Sequence, residues 1–154
     1  MNKHEYVKIT PVPHTKKLYK LTEELILEFD NVTVTLPIGF QADGATLPRF
    51  IWSLIGLHPL STTIVTGAFI HDATYTPLSV GEKRSNELMN AICKDHGMGP
   101  VRRMIIKHGV SLLAKPWFYA LGRNSVWRLN RLKRKDPNEY ERRKQLIQSF
   151  ITYK

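Results

Sequence analysis

Ser61-Thr62-Thr63-Ile64-Val65-Thr66-Gly67-Ala68-Phe69-Ile70-His71-Asp72-Ala73-Thr74-Tyr75 is the stretch on which the fold turns. Ser61 or Thr62 can cap a helix, and Pro77 stops it. Ile64, Ala68, His71 and Tyr75 recur at spacings of four, three and four, which places them on one helical face. The spacing predicts a helix over residues 60–75. His71 and Asp72 interrupt its apolar run, and burying a charge costs several kcal/mol unless it is paired. Consecutive helical side chains point about 100° apart, so these two cannot easily bond each other. They can flank one site, with His71 as general base towards a water and Asp72 as ligand to a hard cation such as Ca²⁺. Tyr75, one turn after His71, could orient or hydrogen-bond a carboxylate. The plainer alternative is a core histidine bonded to a carbonyl and an aspartate paired with an arginine.

Towards the N-terminus the period changes to that of β structure. Tyr6-Val7-Lys8-Ile9 reads as a short strand closed by Pro11 and Pro13. Leu18 to Phe29 reads as a second strand, with apolar residues at 18, 21, 25, 27 and 29, although Thr22-Glu23-Glu24 could open a short helix. Asp30-Asn31 is a turn signal before Val32-Thr33-Val34-Thr35-Leu36, so a hairpin is expected. Residues 37–50 form an irregular loop in which Gly39 and Gly44 relax the backbone. Thr46 is a candidate cap there, and Pro48 suits a helix start. Phe50-Ile51-Trp52-Ser53-Leu54-Ile55 is too apolar to be exposed and should be a buried helical turn ending at Gly56.

Towards the C-terminus, Arg84–His96 is a helix ended by Gly97, with Leu88, Met89 and Ile92 inward. Gly99-Pro100 opens another, running towards Ala114 with Ile105, Ile106, Val110 and Leu113 as its stripe. Pro116 and Gly122 interrupt the chain beyond it, and residues 123–135 and 138–150 form two more helices. The expected fold class is α+β: an N-terminal β-hairpin or small antiparallel sheet, then a mainly helical core with the His-Asp helix. Residues 1–115 make that unit, and 116–154 make a basic helical extension.

Charge is lopsided along the chain. The formal net charge is +10, yet residues 1–100 sum to −1 and residues 101–154 to +11. General basicity is therefore excluded, and a basic segment facing an acidic partner is implied. Hydrophobic content of 42% excludes a disordered chain. A single cysteine, Cys93, excludes a disulfide-stapled scaffold and suits a reducing compartment. It reads as a packing residue, since no His-Cys arrangement accompanies it. There is no run of about 18 apolar residues and no signal-peptide pattern, so neither a transmembrane helix nor secretion by a signal peptide is expected.

Arg123, Arg128, Arg131, Lys133, Arg134 and Lys135 are the candidate contacts to nucleic acid or an acidic partner. Trp117, Phe118, Tyr119 and Trp127 lie among them, and aromatics either stack on bases or sit at a lipid headgroup boundary. The apolar segment Leu112–Leu121 reads as core, subunit interface or membrane-contacting patch. No named nucleic-acid reading motif is visible.

Gly39-Phe40-Gln41-Ala42-Asp43-Gly44-Ala45-Thr46-Leu47-Pro48-Arg49, followed by Trp52, then Ala68, His71, Asp72, Tyr75 and Arg84, resembles the phage and prophage family called domain of unknown function 1353. Ala42 and Thr46 stand where that pattern has Thr and Ser. The resemblance covers residues 35–110 and implies a phage-encoded protein working in the host cytoplasm or the virion, with phage proteins or further copies of itself as partners. A more distant likeness is to phospholipase A2 folds, where a histidine activates water, the next aspartate binds Ca²⁺ with glycine-loop carbonyls, and a later aspartate orients the histidine. It implies His71 as base, Asp72 as metal ligand, and lipid or cell-envelope esters as substrates. Ser85-Asn86 stands where the pattern has Ala-Asp. That departure leaves three alternatives: Asp43 takes the orienting role, the site is weak, or catalysis is lost and the scaffold kept. The competing expectation is a non-enzymatic virion or assembly protein that binds through its basic helices.

Overall fold

A computed structural model describes residues 6–15, 18–43, 49–58, 60–121 and 123–154. Six strands, β1 (Ile9–Pro11), β2 (Tyr19–Leu21), β3 (Leu25–Phe29), β4 (Val32–Leu36), β5 (Gln41–Ala42) and β6 (Ile151–Tyr153), form two antiparallel sheets ordered β1-β2-β5 and β3-β4-β6. The helices are α1 (Arg49–Ile55), α2 (Thr62–Thr74), α3 (Gly81–Asp95), α4 (Pro100–Leu113), α5 (Val126–Lys135) and α6 (Pro137–Gln148), with a π-helical turn at Trp117–Leu121. The fold is α+β. Among the described residues no helix is long and apolar enough to cross a membrane.

The β3–β4 hairpin follows from strict alternation. Leu25, Leu27, Val32, Val34 and Leu36 point inward, and Leu25 faces Leu36 while Leu27 faces Val34. Asp30 makes the turn at φ 48°, a left-handed conformation that a short polar side chain tolerates. The expected single strand Leu18–Phe29 is in fact two strands in different sheets. Thr22 bonds the Lys8 carbonyl through both its N–H and its hydroxyl, which holds the first sheet together while the chain leaves for the second.

α2 is buried on nearly every side, so the single-face reading of Ile64, Ala68, His71 and Tyr75 understates it. Val65, Phe69, Ile70 and Ala73 pack with the sheets, whereas Ile64 and Ala68 pack with Trp52, Ile55, Met89 and Ile106. A helix apolar all round belongs in the middle of a core. α3 packs tightly on it at Gly67, where an added Cβ would lie 3.3 Å from Cys93 Sγ and from the Met89 carbonyl oxygen.

Two further expectations need correction. Phe50 and Leu54 are exposed, because a helix of seven residues has one inward face and Ile51, Trp52 and Ile55 occupy it. The last helix ends at Gln148, and Ile151 then pairs opposite Val34 on β4. Phe150 meets Phe40 edge-on at 5.6 Å. Leu129 of α5 and Ile147 of α6 pack on Leu78. The end of the chain thus pairs with the sheet of the N-terminal hairpin.

Candidate functional site

The site lies at the C-terminal end of α2, where the Tyr75 N–H closes the helix on the His71 carbonyl at 2.7 Å. His71 is 8% exposed. Its Nε2 lies 2.9 Å from Asn86 Oδ1 on α3, and Asn86 Nδ2 donates to Ser111 Oγ on α4 at 3.3 Å. With the amide turned that way, Oδ1 accepts from Nε2–H, which assigns the proton to Nε2 and the lone pair to Nδ1. Burial lowers the His71 pKa to about 4 against a smaller opposing effect of the Asn86 hydrogen bond, so the ring is neutral at neutral pH.

The helix pair is clamped just behind the ring. Thr74 Oγ1 bonds Ser85 Oγ at 2.7 Å, and Ser85 Oγ donates to the His71 carbonyl at 3.3 Å. Tyr75 stacks on His71 with ring centroids 4.4 Å apart. Its hydroxyl is buried with no hydrogen-bond partner among the described residues, and burial followed by Glu82 and Tyr119 raises its pKa. Phe118 meets Tyr75 edge-on at 5.0 Å, and Tyr119 meets Phe118 at 5.1 Å. An aromatic ladder therefore runs from His71 to the π-helical turn.

Asp72 turns away from this ladder and meets Asp43. Burial of its carboxyl, then the Asp43 carboxylate that shares a hydrogen bond with it, hold Asp72 well above the usual carboxylate range, against a backbone hydrogen bond from Asp43. As a whole residue Asp72 is exposed, so the site rests on the like-charge contribution, which requires only proximity. Two carboxylates this close share a proton or attract a cation. As hard oxygen donors they fit a divalent cation such as Ca²⁺. The loop carbonyls that could complete the set, Gly44 to Thr46, lie outside the described residues, as do Pro48 and Gly122. Among the described residues no three His, Cys, Asp or Glu side chains are placed to hold a metal.

Of the sequence-derived candidates, the structure brings His71 to Tyr75 and Asp72 to Asp43. The hydrogen bond to His71 is made by Asn86, which by sequence alone counts as a defect. The signal is its position: Asn86 falls where the resemblance implies an orienting aspartate, and an amide oxygen accepts the same bond. Arg84 serves as a strut, pairing with Asp30 at 3.4 Å and Glu87 at 3.3 Å and lying over the Phe29 ring. Buried Cys93 has its thiol pushed up to about 12 by burial, which keeps it unreactive. Arg123, Arg128, Arg131, Lys133, Arg134 and Lys135 lie on α5 or just before it, far from His71 in sequence.

A family model described as protein of unknown function (DUF1353) matches residues 19–110. No curated protein and no solved structure matches the chain.

Proposed function

The chain belongs to the DUF1353 family, and from that premise we propose that it is a hydrolase-like protein of phage origin acting on lipid or cell-envelope esters. One observation carries the proposal. A neutral histidine held by Asn86 and an aspartate whose carboxyl meets that of Asp43 occupy consecutive positions at the end of one helix. In this reading His71 takes a proton from water through Nδ1, while Asn86 holds the ring and the hydroxyls of Thr74 and Ser85 hold Asn86's helix in place. Asp72 and Asp43 would hold the cation, which supplies Lewis-acid polarisation of the ester carbonyl when bound. The layout is similar to that of phospholipase A2 folds, with an amide in place of the orienting carboxylate.

The test is fatty-acid release from phospholipid with and without Ca²⁺. His71→Ala should lower turnover by about 10²- to 10⁴-fold, the usual contribution of a general base. Turnover equal to that of the wild type would remove His71 from the role. The acid limb of the rate profile should fall near pH 4, where the ring gains its proton. A second reading, a non-enzymatic virion or assembly component, is favoured by the cations of α5, which have no carboxylate partner among the described residues. It predicts no turnover and failed assembly when Arg128, Arg131, Lys133 and Arg134 become glutamine.

A further inference from the structure

The C-terminal half exposes apolar and cationic side chains together. Leu112 at the end of α4 is 74% exposed, Trp117 and Leu121 in the π-helical turn are 59% and 52% exposed, and Trp127 on α5 is 55% exposed. Along α5, Trp127, Arg131 and Arg134 recur at spacings of four and three, on the side away from buried Leu129. The Arg131 guanidinium lies 5.5 Å from the Trp127 ring. α5 packs on the π-helical turn, and Ser125 Oγ bonds the Ala120 carbonyl at 3.1 Å, so the two form one surface feature.

The neighbouring helix provides the contrast. On α6, Arg142 and Arg143 pair with Glu139, and Lys144 pairs with Glu141. Among the described residues no cation of α5 has a carboxylate partner. Exposed uncompensated charge beside exposed large apolar side chains suits a partner that offers both anions and an apolar phase.

We propose that the π-helical turn and the outer face of α5 dock this protein on an anionic lipid bilayer. Trp117, Leu121 and Trp127 enter the headgroup and upper acyl region, and Arg131 and Arg134 contact lipid phosphates. A nucleic acid would use the cations and stack on the tryptophans, but it leaves Leu112 and Leu121 in water. A second copy of the chain would set one +11 segment against another, which charge opposes. The surface lies beyond the family match, which ends at residue 110. It also stands without any catalysis at His71, since the vesicle assay below reads binding and not turnover.

The experiment is co-sedimentation of the full chain with vesicles of equal parts phosphatidylcholine and phosphatidylglycerol, and with vesicles of phosphatidylcholine alone. Binding to the first and not the second is expected, together with a blue shift of tryptophan emission. Trp117→Phe and Trp127→Phe should each remove part of that shift, because Trp52 is buried. R131Q/R134Q should weaken binding about 30-fold, at roughly fivefold per cation near an anionic surface. Trp127→Ala should weaken it roughly tenfold. These side chains are exposed, and unchanged circular dichroism checks the fold of each variant. The emission shift of the wild type needs no variant at all. Failure to bind anionic vesicles, equal binding to both compositions, unmoved tryptophan emission, or tighter binding to duplex DNA than to vesicles would each overturn the proposal.

Discussion

His71 makes the stability of this protein depend on pH in a way that can be worked out from one side chain. In the unfolded chain the imidazole titrates near 6.5, whereas in the folded protein burial lowers it to about 4. Between those values the unfolded state binds more protons, so acid favours unfolding. The stabilisation is complete above the unfolded value and is lost as pH falls towards the folded one. The loss amounts to about 2 kcal/mol by about pH 5 and about 3 kcal/mol by about pH 4. Asp72 works the other way: its raised folded value means that the folded state takes up the proton first, so acid relieves the Asp43–Asp72 repulsion. The two contributions are separated by comparing variants. Urea unfolding across this range should show a steeper acid loss in the wild type than in His71→Gln, by about 2 kcal/mol at about pH 5. Asp72→Asn should lose more stability in acid than the wild type, because its relieving proton is gone. The His71 ring itself, followed by NMR, should titrate near pH 4. A ring titrating near its ordinary value, or identical acid slopes in the wild type and His71→Gln, would refute the claim that desolvation dominates at this position.

Four more perturbations probe the scaffold. Asn86→Ala leaves His71 Nε2 without its acceptor and should cost about 1–3 kcal/mol in urea unfolding. Asn86→Asp should instead raise the NMR-detected His71 pKa above that of the wild type, because a carboxylate favours the imidazolium. Gly67→Ala sets a helix-propensity gain of about 1 kcal/mol against overpacking on Cys93 and Met89, which costs about 1–3 kcal/mol. A net loss in thermal unfolding is expected, because the Met89 carbonyl oxygen cannot move aside easily. Truncation after Ser149 removes Phe150 and β6 and should destabilise the N-terminal hairpin by about 3 kcal/mol, read as faster amide exchange in β4.

The hairpin was legible because alternation and a turn dipeptide act over a few neighbouring residues. The boundaries of α1 and α4 lie at Gly56 and Pro100 for the same local reason, whereas α5 starts after Ser125 and not at the expected residue 123. β6 was hidden: Ile151-Thr152-Tyr153 comes after a polar helix and has strand character only because β4 offers it an open edge. The split between β2 and β3 was hidden too, since apolar residues at 21 and 25 fit one strand as well as two sheets. At the site, His71, Asp72 and Tyr75 stood out as polar or aromatic residues in an apolar run. The Asn86 contact did not, because it depends on how α3 packs on α2, and that packing is set by Gly67, Thr74 and Ser85 rather than by any spacing around Asn86. Phe50 and Leu54 misled for the opposite reason: an apolar residue is free to stay outside when a short helix has only one face to bury.

The amide at position 86 also explains how the site distributes its charge. The groups that bond or stack on the His71 ring among the described residues are neutral: Asn86 and Tyr75, with Thr74 and Ser85 behind them. A carboxylate at position 86 would stabilise the imidazolium, but it would also stand half-buried beside Ser111 as an ion whenever the ring lost its proton. Asparagine keeps the orientation and avoids that cost. The consequence is a ring that is unprotonated at neutral pH. The carboxyl groups lie instead at Asp43 and Asp72 on the more open side of α2, where Asp72 keeps its proton more readily than a lone carboxylate does. The end of α2 thus separates two polar elements: a neutral ring held by an amide on one side, and a pair of carboxyl groups on the other.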